Sequence, residues 1–346
     1  MFKQEKEPNY KNYTVDQFEQ YWSDNSIRQR FIDNSIPEGC KICFDDQMIT
    51  TGVRSFTNNS LIKNTPNITV SDSPEHIEIK FGNYCNLKCI MCGPYASSQL
   101  ETEYRTHKDK FDAIEIYQPL LKQYYWWEDP DTLKKVQQMV KTAKYISFSG
   151  GEPLLINGIY DILDHAPRDC VITISTNLTR LTNKHIEYFQ KFKNIRIRIS
   201  LDGIGTQEEY LRYGTDWDKL NANIQQLISI EEIDVGFTYL LQHTSVYTYP
   251  ELWNYVKSTD KSLIVSTVYG GSISEGLLTI NSAPEKDVES FKNWIKLNST
   301  PHNNMIKNWI ESYKFNPILL EKFKKYVTVL DQVRGTNYQA TFNPNW

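Results

Sequence analysis

The amino-acid sequence predicts an α/β protein built on a parallel sheet, and three observations carry that expectation. Six short runs rich in Ile, Val, Phe and Tyr recur between residues 76 and 268. The stretches between them hold apolar residues at helical spacing, and chemically unusual residues sit just after the runs rather than inside them. Strand and helix alternating six times implies crossovers between parallel neighbours. In an open doubly wound sheet and in an incomplete barrel alike, chemistry collects at the carboxyl ends of the strands.

The elements follow in order. Residues 1–75 are an N-terminal extension, polar with scattered aromatics, with one or two short helices expected around Phe18, Tyr21, Trp22, Ile27 and Phe31. The strand candidates are 76–81, 145–149, 171–175, 195–200, 235–241 and 263–268, most of them bounded by Gly, Asn or Asp. Helical spacing runs from His185 and again from Leu220, where Leu220, Ile224, Leu227 and Ile228 share a face. Residues 76–280 make the sheet unit, with an insertion at about 100–142, because the 57 residues between Cys92 and Gly150 exceed one crossover. The insertion carries Tyr124-Tyr125-Trp126-Trp127-Glu128-Asp129, read as the staple of an inserted helical pair in preference to a stacking platform for a base or peptide. Residues 281–346 are a helical region with helices expected at 285–297, 305–313 and 318–334, the last stopped by Gly335. Its nine basic and six acidic residues fit a cap over the open end of the sheet better than a binding arm.

Composition narrows the class. With 346 residues, 40% apolar and 23% charged, the chain has a core to bury, and a net charge of −4 argues against a nucleic-acid partner. The start lacks a basic-then-apolar signal and no window approaches the roughly 18 apolar residues of a spanning helix, so a cytoplasmic protein with no membrane partner is expected. Six cysteines fall unevenly: Cys40 and Cys43, then Cys85, Cys89 and Cys92, then Cys170. Two short clusters suit metal better than a disulfide framework.

Cys85, Cys89 and Cys92 follow the first strand at intervals of four and three residues. Three such thiolates can each hold one iron of a four-iron cubane and leave the fourth iron open; a zinc site completed by a distant His or Cys is the alternative. The pattern resembles the radical S-adenosylmethionine (radical SAM) superfamily, with Met91 in the place of the large apolar residue before the last cysteine. Ser149-Gly150-Gly151-Glu152-Pro153 after the second strand is similar to that family's glycine-rich segment, which meets the methionine amino group; glycines admit close backbone approach and Glu152 adds an acceptor. Ser200-Leu201-Asp202-Gly203 after the fourth strand, with Arg212, resembles the contact of the peptide-modifying branch with the cofactor's carboxylate and ribose. Ser175, Thr176 and Asn177 resemble a polar patch on the third strand, and Leu240 with Val268 would flank the adenine.

This resemblance covers about residues 76–270. It implies a partial (β/α)6 TIM-like barrel of parallel strands, a [4Fe-4S] cluster on Cys85, Cys89 and Cys92, and S-adenosylmethionine cleaved to a 5′-deoxyadenosyl radical that takes hydrogen from a substrate. It also implies a flavodoxin- or ferredoxin-type electron donor. The expected substrate is a peptide or protein side chain; the alternatives are a nucleoside, sugar or other small metabolite, or a non-catalytic iron–sulfur or zinc carrier or sensor. Cys40 and Cys43, followed by Asp45, Asp46 and Gly52-Val53-Arg54, look similar to an N-terminal segment of the twitch group and suggest a second metal or cluster, a redox pair or simple packing. Positions 171–346 contain no cysteine, which excludes an auxiliary cluster after the barrel. Cys170 reads as a core side chain, His107 and His165 as surface or core histidines, and His243 as the one histidine placed for substrate contact.

Overall fold

The computed structural model describes residues 73–116, 125–267, 276–298 and 304–346, together with 33, 35 and 300. Cys40, Cys43, Tyr124 and Val268 therefore lie outside the described residues, as do the helices expected before residue 33. The six strands are β1 (His76–Lys80), β2 (Tyr145–Ser149), β3 (Val171–Thr176), β4 (Asn194–Ser200), β5 (Ile233–Leu241) and β6 (Ser262–Thr267). All pair in parallel in sequential order, with β1 and β6 at the edges, so the sheet is a partial barrel and not a doubly wound one.

Alternation along the strands explains this one-sided architecture. In β4 the residues Ile195, Ile197 and Ile199 are buried, while Arg196, Arg198 and Ser200 face the other way. A sheet covered on both faces would show continuous apolar runs, whereas this one shows a period of two. The apolar face, including Ile146, Phe148, Ile172, Ile174, Phe237 and Tyr239, packs with the crossover helices into one core. Each fully buried side chain of this size contributes about 1.5–3 kcal/mol. The inner face carries Ser147, Ser149, Thr173, Ser175, Ser200 and Thr238.

The crossover helices start where local chemistry permits. The helix α1 (Ser98–Thr106) is capped by Ser97, whose hydroxyl accepts from the Leu100 N–H, and α2 (Lys108–Asp112) follows directly. Pro130 opens α3 (Pro130–Val140), and α4 (Gly158–Leu163) precedes β3. The helix α5 (Asn183–Phe189) begins in a capping box of Thr182 and His185. After α6 (Thr206–Leu211) comes α7 (Trp217–Ile228), capped by Asp216 and burying Leu220, Ile224 and Leu227 as the sequence predicts. The helix α8 (Ser245–Thr259) links β5 to β6. The C-terminal helices are α9 (Glu285–Leu297), α10 (Asn304–Glu311), α11 (Pro317–Arg334) and α12 (Tyr338–Phe342), α11 ending at Gly335 with φ +69°.

The described part of the aromatic run is a staple. Trp126 stacks on Phe81 at 5.6 Å and donates its indole N–H to the Lys80 carbonyl, and Trp127 meets the same phenylalanine edge-on. Helix α11 does not simply cover the open end of the sheet. Its Tyr326, Val327 and Leu330 form a second core with Leu87, Ile90 and Met91 of the cysteine loop, and Tyr326 donates its hydroxyl to the Ile90 carbonyl at 3.0 Å.

Candidate functional site

The loop after β1 is held on every side before any cofactor is considered. Asn83 donates to the Pro94 carbonyl and the Glu101 carboxylate, and Ser97 donates to the Leu87 carbonyl at 2.6 Å. Lys88–Cys89 pairs antiparallel with Arg212–Tyr213, and the Ile90 N–H donates to the Leu211 carbonyl. The loop thus presents Cys85, Cys89 and Cys92 as free thiols on one wall of a cavity of about 360 Å³ at the carboxyl ends of the strands.

The opposite walls come from the other strands. Gly150, Gly151 and Glu152 follow β2, Ser175 and Asn177 end β3, Ser200 ends β4, Thr238 and Leu240 lie on β5, and Arg212 and Met91 close the ring. Two residues expected at the cofactor are not among the lining residues. Pro153 is buried at the start of a single 3-10 turn, where its fixed φ suits the first position. Asp202 is fully buried beneath the wall: one carboxylate oxygen accepts from the Leu240 N–H at 3.0 Å and the other from Arg212 at 2.8 and 2.6 Å. It orients Arg212, and no face of it is left for a ribose.

The glycine pair has a reason beyond ligand approach. Gly151 sits at φ +58°, and a Cβ there would lie 2.4 Å from the Tyr84 carbonyl oxygen. The Glu152 N–H donates to that same oxygen at 2.8 Å. The close approach therefore locks the end of β2 against the residue preceding Cys85. Glu152 is likewise committed within the chain, since its carboxylate accepts from the Thr176 hydroxyl at 2.6 Å, the Asn177 N–H at 2.7 Å and the Leu154 N–H at 3.0 Å. Burial pushes its pKa up in spite of these donors. These bonds tie β2 to β3 and leave Oε2 with a single donor at the edge of the cavity.

Charge around the thiols is unevenly shared. Burial and then the neighbouring Cys89 push the Cys85 thiol up to about 12, whereas the hydrogen bond from Cys92, working against burial and helped by Arg212, brings Cys89 down to about 7. Cys92 is raised by its hydrogen bond to Cys89 and by burial. Burial and mutual repulsion thus disfavour three thiolates side by side, Arg212 offsets part of that charge, and a bound cluster would offset the rest. The soft three-sulfur donor set facing a roomy cavity fits a cluster.

Arg212 stands beside them with a guanidinium nitrogen 3.8 Å from the Cys89 sulfur. Burial works against its charge, but Asp202, Cys89 and Glu208 hold it fully protonated. Glu208, invisible as a site residue in the sequence reading, lies one helical turn before Arg212. It accepts from the Asp202 and Gly203 N–H groups, both at 2.9 Å, and burial raises it to about 8.

Residues 79–229 match the family model of the radical SAM superfamily. That match covers somewhat under half of the chain; it spans the cysteine loop, the glycine pair and Arg212, and so contains most of the cavity wall. Over 139 residues the chain is 28% identical to an uncharacterized protein of Methanocaldococcus jannaschii, a match that covers 38% of this chain and 40% of that protein. Similar solved structures include native anSMEcpe with bound AdoMet (18% identity, TM-score 0.43, 65% of this chain and 60% of that one). They also include Streptococcus suis SuiB bound to precursor peptide SuiA (15%, 0.44, 71% and 51%). A third is coproporphyrinogen III oxidase from Escherichia coli (12%, 0.42, 64% and 51%). The chain thus spans well under two thirds of the length of these relatives.

The expectation for His243 is corrected by position, whereas Cys170 is the core side chain expected. His243 is fully buried and away from the cavity: its Nδ1 contacts the Ser282 hydroxyl at 2.8 Å and its ring stacks on Phe323 at 3.6 Å. Cys170 is buried at the start of β3, at the opposite end of the sheet. No helix among the described residues is long and apolar enough to cross a membrane.

Proposed function

We propose that this chain is a radical SAM enzyme acting on a peptide or protein side chain. The observation that carries the reading is convergence: Cys85, Cys89, Cys92, Gly150, Gly151, Ser200 and Arg212, spread over 128 positions of sequence, line one cavity. Cys85, Cys89 and Cys92 would hold a [4Fe-4S] cluster, and Arg212, with Nε and Nη2 held by Asp202, would offer its remaining nitrogen and its charge to the carboxylate of S-adenosylmethionine. When bound, the two groups together supply one low-potential electron and a 5′-deoxyadenosyl radical.

The chain's own share is positioning and exclusion. Asp202 and Glu208 hold Arg212 in one orientation, and the Gly151 contact with Tyr84 fixes the wall opposite the thiols. The Ile90, Met91 and Tyr326 core seals the loop from behind, which matters because such a radical reacts with nearly any C–H group. The peptide assignment rests on the sequence resemblance of Ser200, Asp202 and Arg212 to the peptide-modifying branch, with Asp202 acting through Arg212. A flavodoxin- or ferredoxin-type protein of the cytoplasm would be the donor.

The test is anaerobic. The chain is reconstituted with iron and sulfide, the iron is counted, and dithionite and S-adenosylmethionine are added while 5′-deoxyadenosine is followed. About four irons per chain and cofactor cleavage are expected, with both lost in Cys89→Ala. Cleavage that survives Cys89→Ala would sink the mechanism. Deuterium transferred into 5′-deoxyadenosine from a labelled peptide library supports the peptide reading, and transfer only from small metabolites overturns it.

A further inference from the structure

Asn177 was expected to meet the cofactor, but its hydrogen bonds aim it at a metal ligand. Its Oδ1 accepts from the Thr179 N–H at 3.0 Å and the Thr179 hydroxyl at 2.7 Å. A backbone N–H can only donate, so this end of the amide must be the oxygen, and the flip is decided by the network. The Nδ2 end then faces the cysteine loop with two hydrogens to place. One goes to the Asn86 Oδ1 at 3.1 Å, and the other points to the Cys85 sulfur at 3.8 Å. Asn86 in turn donates to the Thr179 hydroxyl at 2.9 Å, which closes the ring. The Asn177 backbone N–H is bonded to Glu152 at 2.7 Å, and the residue is 7% exposed, so neither end of the side chain is free to turn.

We propose that Asn177 is a positioning residue for the cluster: it donates an N–H···S hydrogen bond to Cys85, holds that ligand's rotamer and raises the cluster's reduction potential. Hydrogen bonds to cluster sulfurs stabilise the more negative, reduced state, and they are among the levers that set iron–sulfur potentials. Arg212 faces Cys89, whereas at the half-buried Cys85 the Asn177 amide is the side-chain donor aimed at the sulfur, beside the Leu87 backbone N–H.

The inference rests on the cluster reading above, and the experiment separates the two. Wild-type protein is grown with 15N-labelled asparagine side chains, reconstituted and reduced, and pulsed electron paramagnetic resonance is recorded beside a redox titration. If no four-iron cluster assembles in wild type, the cluster reading itself fails. With a cluster present, a 15N coupling is expected from the labelled amide. In Asn177→Asp, which keeps the acceptor toward Thr179 but cannot donate, that coupling disappears and reduction becomes at least tenfold less favourable, 59 mV for a one-electron couple. Absence of the coupling in wild type overturns the proposal whatever the variant does, and so does an unchanged potential in an assembled Asn177→Asp cluster.

Discussion

At the scale of single residues, the site depends on groups that have no freedom to be anything else. Gly151 shows this most sharply, because both its positive φ and the 2.4 Å approach to the Tyr84 oxygen exclude a side chain. Gly151→Ala is expected to cost about 2–4 kcal/mol, from backbone strain and overpacking together, and to impair cluster retention through the shift of Tyr84 beside Cys85. Chemical denaturation of the apoprotein and iron content after reconstitution check the two effects separately. Asp202→Ala breaks a buried ion pair and leaves Arg212 partnered by Glu208 alone. A loss of about 3–5 kcal/mol in the same denaturation assay is expected. Cofactor affinity, read by equilibrium dialysis on the loaded protein, should fall with it. These residues were legible in the sequence as a set but not in their roles. Motif spacing finds Gly151, Glu152 and Asp202, yet only the folded chain reveals their partners: Gly151 against Tyr84, Glu152 with Thr176 and Asn177, and Asp202 with Arg212.

At the scale of elements, α11 supports the cysteine loop through a buried pairing that spans 231 positions. Arg334 donates to both oxygens of Glu103, at 2.7 Å at the shortest, and Lys88 approaches the same carboxylate at 2.9 Å. Burial works against the charge of Glu103, but its bonds to Arg334 and Lys88 outweigh that and lower its pKa. Replacing Arg334 with Met leaves Lys88 as the remaining partner. A cost of about 3 kcal/mol is expected, read from the denaturant midpoint, with hydrogen exchange accelerated in the 85–92 loop as well as in α11. Exchange confined to α11 would show that the helix is merely attached to the loop and does not brace it. The strands themselves were legible to within two residues, because period-two alternation of Ile, Val and Phe survives translation into structure directly. The attachment of α11 was not, since Arg334 and Glu103 meet only after the whole sheet has formed, and apolar periodicity says which face is buried without saying against what.

At the scale of the whole molecule, a sheet with one apolar face leaves the polar chemistry on the other, and the folded chain carries its buried histidines in the outer core and beneath α11, away from the cavity. His185 lies in the capping box of α5, stacked between Tyr160 and Phe189, and His243 is stacked on Phe323. Burial lowers His185 from 6.5 to about 4 and His243 from 6.5 to about 3. Both are neutral in the folded chain, while the unfolded chain takes up their protons below pH 6.5. Stability from this source is therefore complete above pH 6.5 and falls as the pH drops toward 4 for His185 and toward 3 for His243, by about 1.4 kcal/mol per pH unit for each histidine. A slope of about twice that value is expected in the apoprotein between pH 6 and 5. His243→Phe preserves the stack on Phe323, and Ser282 keeps the Leu277 carbonyl as an acceptor at 2.8 Å. The variant should therefore fold and should lose about half of the slope over that interval. Denaturant midpoints measured at matched pH values decide it: an unchanged slope in His243→Phe would mean that acid sensitivity arises elsewhere and that the seam between β5 and α11 admits a charged imidazole.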